Sequence, residues 1–133
     1  MVQVKQMIVG TEWLVEAAGC DPEKLRDESV IRSLLAKVIG GLGLHSLGEV
    51  WHKFAGEGGV TGMIALTESH LGCHTYPEHR IATFNLYCCR TRPEWNWEQE
   101  LERALAAEAV FVQKIERGDF QQQLRIQSAR GDA

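Results

Sequence analysis

Residues 66–79, LTESHLGCHTYPEH, place a Glu68-Ser69 step at the end of an apolar run and follow it with His70, Cys73, His74 and His79. The run reads as a strand entering a turn, and a structural turn requires none of these imidazoles or thiols. Two chemistries suit the residue types. His70, Cys73, His74, His79, Cys88 and Cys89 are the side chains zinc prefers, but they form no CxxC pair and no HxxxH on a predicted helix. Cys88 and Cys89 are neighbours on a predicted strand, so they point to opposite faces and cannot share one ion. Nucleophilic chemistry is the second option: Ser69 has His70 and His74 nearby, and Cys89 is a candidate thiol. Each residue also has a plain structural reading. A Ser at a strand end caps a turn, a buried Cys packs as a small hydrophobe, and a loop His is solvated. There is no nucleophile elbow, and GEGG (56–59) lacks the Lys-Ser/Thr and helix of a phosphate-cradling loop.

The elements that must position these residues follow from pattern. TEWLVEAA (11–18) reads as a first strand, and Asp21-Pro22 as a turn and helix start. Val30, Ile31, Leu34, Leu35, Val38, Ile39 and Leu42 have the three-four spacing of an amphipathic helix. Asp27 or Ser29 caps it, and Gly40-Gly41 and Gly43 end it. LHSLGEVWHKF (44–54) and VTGMIALT (60–67) read as strands joined by the GEGG turn, and IATFNLYCC (81–89) as a fourth. WNWEQELERALAA (95–107) forms a second long helix, AVFVQKI (109–115) a last strand, and the polar tail from Gly118 is expected to be loose. The order β-α-β-β-β-α-β implies an α+β two-layer sandwich, an antiparallel sheet with two helices on one face. The other face then needs cover, which a dimer stacking two sheets would provide.

Bulk properties narrow the classes. The chain has 133 residues, one domain's worth, with 44% hydrophobic and 24% charged residues. A net charge of −4 without a long basic run gives nucleic-acid binding no support. No apolar stretch approaches the roughly 20 residues of a membrane span. The N-terminus lacks the apolar core and cleavage site of a secretion signal. Four cysteines without such a signal suggest free thiols in a reducing cytoplasm.

In combination the motifs are more specific. WHKF (51–54), V-T-G (60–62), TESHLGCHTYPEH (67–79), a Cys at the end of the next strand and E-x-x-G-C-D (16–21) lie in register from Gly10 through the second long helix. The set resembles the S-adenosylmethionine decarboxylase proenzymes of bacteria and archaea. The resemblance implies a cofactor made from the backbone: Ser69 attacks the carbonyl of Glu68, the ester eliminates, and residue 69 becomes a pyruvoyl group. The products would be a β chain, 1–68, and an α chain, 69–133. His74 matches the histidine of that processing step, and Thr61 the position of a family serine hydroxyl. In turnover the pyruvoyl carbonyl would form a Schiff base with the substrate amine and act as the electron sink while CO2 leaves. Cys89 matches the general acid that then protonates Cα. Phe54 matches the aromatic that stacks on adenine, and Glu78 the carboxylate that holds the ribose hydroxyls. Leu71 and Tyr76 match pocket-lining positions, and Glu16 and His52 match positions near the site. The implied product is the aminopropyl donor for spermidine synthesis, and the implied assembly a homodimer of αβ units with sites near its interface.

Departures gather near the expected pocket. Tyr76 replaces Trp, His79-Arg80 a common Tyr-Gly, Asn85 an Asp, and Glu12-Trp13 a common Arg-His, while Cys88 and Arg90 flank Cys89 where Thr and Gly are frequent. The loss of Asp at 85 and gain of Arg80 make the surroundings less suited to a sulfonium cation. Decarboxylation of another amino acid, such as ornithine or arginine, is the alternative, as is an unprocessed homologue that regulates an active partner. The retained Phe54 and Glu78 favour adenosine.

Overall fold

The structure, a computed structural model, describes residues 6–90 and 92–131. Strand β1 (Gly10–Ala18) turns Trp13, Val15 and Ala17 inward and Glu12, Leu14 and Glu16 outward, the two-residue period of a sheet with one buried face. Asp21 caps the short helix α1 (Pro22–Arg26), its carboxylate accepting the Glu23 N–H at 2.9 Å. Asp27 caps α2 (Glu28–Gly41) in the same way. It accepts the Ser29 hydroxyl at 2.6 Å and the Ser29 N–H at 3.0 Å, and these bonds hold its carboxyl below the usual range. Ile31, Leu34, Leu35 and Val38 form the buried stripe of α2. There follow β2 (Ser46–Lys53), β3 (Val60–Leu66), β4 (Ser69–Tyr76), a 3-10 turn (Pro77–His79), β5 (Ile81–Cys88), α3 (Trp97–Leu105), β6 (Ala109–Arg117) and α4 (Phe120–Gly131).

The strands form one antiparallel sheet in the order β2-β3-β4-β5-β1-β6. One face is packed by α1, α2 and α3 over a core that includes Leu25, Leu35, Leu71, Leu86, Leu101 and Leu105. Thr75 is the polar side chain within it: its hydroxyl accepts the Val60 N–H at 2.8 Å and donates to the Leu25 carbonyl at 2.8 Å, tying α1 to β3 and β4. Gly62 lets β2 and β3 close up, since a Cβ there would lie 2.5 Å from the Trp51 ring. Helices α1, α2 and α3 leave the second face uncovered, and it exposes Met63 and Phe111, with Val50 beside Met63 at its edge.

The antiparallel two-layer sandwich expected from sequence is the architecture observed, with two corrections. The sheet has six strands where five were expected. The segment read as a strand entering a turn is a hairpin, with Thr67 and Glu68 as its turn and β4 carrying Ser69 through Tyr76. Hence His70 and His74, read as loop residues, stand on a strand. The pattern was masked because His70, Gly72 and His74 alternate with Leu71, Cys73 and Thr75, a set mixing weak strand formers and lacking the Asn-Gly type of turn signal. The tail is the second correction: residues from Phe120 form α4. Its Gln, Leu, Arg and Ala residues are helix formers, and Asp119 accepts the Gln122 N–H at 3.0 Å at its start. No residue of α4 is buried.

Candidate active site

The hairpin turn brings the Glu68-Ser69 peptide beside the end of β5. Ser69 stands opposite Cys88 in the register. The backbone N–H of Cys89 donates to the Glu68 carbonyl at 3.0 Å, and Arg90 ion-pairs with the Glu68 carboxylate. Burial pushes the Cys88 thiol up, and the Arg92 charge opposes the rise. An N–H aimed at a carbonyl oxygen receives the negative charge that builds there when a nucleophile adds to the carbonyl carbon. Glu68, Ser69, Cys88 and Cys89 therefore form one cluster with the elements of an acyl shift.

A second cluster lies on the open face near the other end of the strands. The register aligns one residue from each strand into a row: His52, Thr61, His74, Thr83, Glu16 and Phe111. Thr61 Oγ1 is 3.0 Å from His74 Nδ1, a contact that fixes the imidazole's orientation. Phe54, just past β2, meets His52 edge-on with ring centroids 4.5 Å apart. Its backbone N–H donates to the Gly59 carbonyl at 2.8 Å, and its ring is exposed. Glu16, His70 and His74 line a depression of about 670 Å³ with Met63 and Phe111. Tyr76 and Glu78 follow His74 at the end of β4 and in the 3-10 turn, where Glu78 lies 3.9 Å from His79. Arg80 leaves that turn with φ 56°, a left-handed conformation unusual for a side chain other than glycine.

Within one chain the two clusters do not meet. Ser69 and His74 are five positions apart on β4, which sets them on opposite faces and about 16 Å apart at ~3.3 Å per residue. Leu71 is wholly buried against the helices and does not reach the open face. Three residues escaped the sequence reading. Cys88 packs in the core as expected but also stands opposite Ser69 in the register. Thr83 becomes visible only once the register completes the row. Arg90 appeared only as a departure, because its pairing with Glu68 spans the hairpin. The four thiols are free: Cys89 is exposed, whereas burial pushes Cys20 up to about 11 and raises Cys73 further.

A helix-backed antiparallel sheet with a Glu-Ser hairpin beside a cysteine-ended strand defines a small α+β domain. A family model described as S-adenosylmethionine decarboxylase matches residues 11–118, and the chain belongs to that family. It is 36% identical over 114 residues to an S-adenosylmethionine decarboxylase proenzyme of Thermococcus gammatolerans, covering 83% of this chain and 77% of the relative. It is 33% identical over 111 residues to S-adenosylmethionine decarboxylase proenzyme 2 of Halalkalibacterium halodurans, covering 83% and 87%. The crystal structure of the adenosylmethionine decarboxylase from Aquifex aeolicus VF5 superposes with a TM-score of 0.73 at 27% identity, covering 84% of this chain and 92% of that one. Helix α4 lies beyond the matched residues. No helix among the described residues is long and apolar enough to cross a membrane.

Proposed function

We propose that the protein is an S-adenosylmethionine decarboxylase that cuts itself between Glu68 and Ser69 and carries a pyruvoyl group at residue 69. The observation that carries this reading is the Glu68 carbonyl, held by the Cys89 N–H at 3.0 Å in the peptide that Ser69 must attack. The residues present fit the group, since its precursor serine follows that carbonyl directly on a hairpin turn.

The processing chemistry balances with these residues. Ser69 Oγ adds to the Glu68 carbonyl carbon, and the Cys89 N–H stabilises the oxygen as it becomes negative. The C–N bond between the two residues breaks, the nitrogen takes a proton, and an ester remains. Loss of the residue 69 Cα proton to a base and rupture of the Cβ–Oγ bond free Glu68 as a carboxylate. Water then displaces ammonia from residue 69 and leaves the ketone. His74, oriented by Thr61, is the base for the Cα proton.

A second copy of the chain supplies that base. Stacking two open faces about a twofold axis that lies between the sheets and crosses the strands lays the Ser69 end of one copy against the His74 end of the other, on the side of the strand away from the Ser69 hydroxyl, toward which the residue 69 Cα–H is directed. The exposed Met63 and Phe111 give that face an apolar surface to bury. Phe54 and Glu78 lie with His74, so the aromatic for adenine and the carboxylate for the ribose hydroxyls come from the same copy as the base.

A pyruvoyl group at residue 69 would supply an electrophilic carbonyl for the substrate amine and an electron sink for the decarboxylation. Cys89, exposed beside it, gives a proton to the substrate Cα. The decarboxylated product feeds an aminopropyl transfer of the kind that builds spermidine. The test is release of labelled CO2 from carboxyl-labelled S-adenosylmethionine, with ornithine and arginine in parallel. Release from S-adenosylmethionine alone is expected. Release from either of the other two instead would transfer the chemistry to a smaller substrate.

A further inference from the structure

Cutting between Glu68 and Ser69 makes a group that the uncut chain does not have. Glu68 becomes a chain end, with an α-carboxylate beside its side-chain carboxylate. One oxygen of the new group is the old carbonyl oxygen. The other is the former Ser69 Oγ, which stays with the acyl group when the Cβ–Oγ bond breaks. Two negative charges this close on one residue repel, and a chain end that nothing ties down is poorly ordered.

The chain is fixed up to the residue before the cut. Leu66 is buried and pairs with Ser69 in the register, and the Thr67 N–H donates to the His45 carbonyl at 3.0 Å. Glu68 itself is held by the two residues that follow β5. The Cys89 N–H donates to its carbonyl oxygen at 3.0 Å, and Arg90 pairs through Nε with its side-chain carboxylate. Both donors lie on the α-chain side of the cut. Arg92, the next guanidinium along, turns instead to the end of α2 and donates to the Leu42 carbonyl at 3.4 Å. In the uncut chain the Arg90 pair is exposed, and an exposed pair of single charges adds little to stability. Cleavage changes its weight. The Cys89 N–H then donates to a carboxylate in place of a neutral carbonyl, which is a stronger bond. The Arg90 guanidinium, with further N–H donors on its terminal nitrogens, offsets two negative charges on residue 68 in place of one.

We propose that the Cys89 N–H and the Arg90 guanidinium form a binding site for a chain-terminal carboxylate, the one that self-cleavage creates at Glu68. Arg90 is then a positioning residue that keeps the cut β chain against the α chain beside residue 69. This rests on the reading of the protein as one that cuts itself there. The site is assembled before it is needed, because its two donors already hold the carbonyl and the side chain of the residue that will become the terminus.

The test is removal of Glu68 from the cut protein by a carboxypeptidase that accepts acidic ends, followed by the mass of the β chain. Rates are taken relative to a free peptide of residues 63–68, which corrects for the protease's own response to conditions. The unaltered protein should lose Glu68 slowly. Arg90→Gln, allowed to finish cutting, should lose it about tenfold faster. Arg90→Lys, which keeps the charge but not the planar fork, should fall between the two. Raising NaCl from about 0.05 M to about 1 M should speed the loss in the unaltered protein and hardly alter it in Arg90→Gln, because salt screens an exposed ion pair. A merely structural effect of the substitution would show neither the rescue by lysine nor the difference in salt response. Equal rates for the unaltered protein and Arg90→Gln, or no rescue by lysine, would overturn the proposal. So would an Arg90→Gln chain that never cuts, since Arg90 would then serve the cut and not its product. An unaltered chain that stays whole overturns the functional reading and this proposal together, whereas equal trimming of chains that do cut overturns this proposal alone.

Discussion

At the scale of single residues, the chemistry rests on which groups touch the Glu68-Ser69 bond. Cys88 stands opposite Ser69 in the register, and Cys89 touches the Glu68 carbonyl through its backbone rather than its side chain. The two roles of Cys89 are therefore separable. Replacing its side chain leaves the N–H in place, so Cys89→Ala should still cut itself while kcat falls by about 10²-fold or more. A denaturing gel and a CO2 assay on the same sample measure both. Full turnover by that variant would move proton donation to Cys88 or to water. The motif residues were legible in the sequence because ESH and HT-x-PE are specific in type and spacing. The Arg90 pairing with Glu68 was not, since a contact across a hairpin depends on register, which no local pattern states.

At the scale of elements, β4 is the piece that matters most and the one the pattern hid. It carries Ser69 at one end, His74 near the other, and buries Leu71, Cys73 and Thr75 against the helices. The long helices and the apolar strands were legible from their periods. For β4, Gly, His and Thr dilute the alternation, and tertiary pairing on both sides decides the outcome. Helix α4 was missed for the opposite reason: its propensity is good, but it buries nothing that would mark it in the pattern. Thr75 tests how β4 is anchored. Thr75→Val keeps the shape but leaves the Val60 N–H and the Leu25 carbonyl without their partner, so it should cost about 2–3 kcal/mol in urea unfolding. A loss of only a few tenths would mean that water replaces the hydroxyl and that α1 is not tied to the sheet there.

At the scale of the whole molecule, one chain holds two half-sites on opposite faces of β4. The need to cover the second sheet face was readable from the layer count, but the division of the site was not, because it follows from the odd spacing of Ser69 and His74 on a strand that the pattern did not reveal. The division predicts complementation. Ser69→Ala and His74→Ala chains, each inert alone, should form mixed dimers on co-expression. In these the intact Ser69 of the second chain faces the intact His74 of the first, and the His74→Ala chain is cut. Mass spectrometry of that chain, marked by a tag, reads the result. No cleavage in purified mixed dimers would return His74 to the same chain as its serine and discard the stacked-sheet assembly.

The central claim is that residue 69 is made into a pyruvoyl group, and the intact mass of the purified, denatured protein tests it most directly. The expected result is two chains divided after Glu68, the second lighter by one ammonia than a fragment beginning with serine. A single chain of full mass that persists on incubation would contradict the account and leave the protein as an uncleaved homologue suited to regulating an active partner.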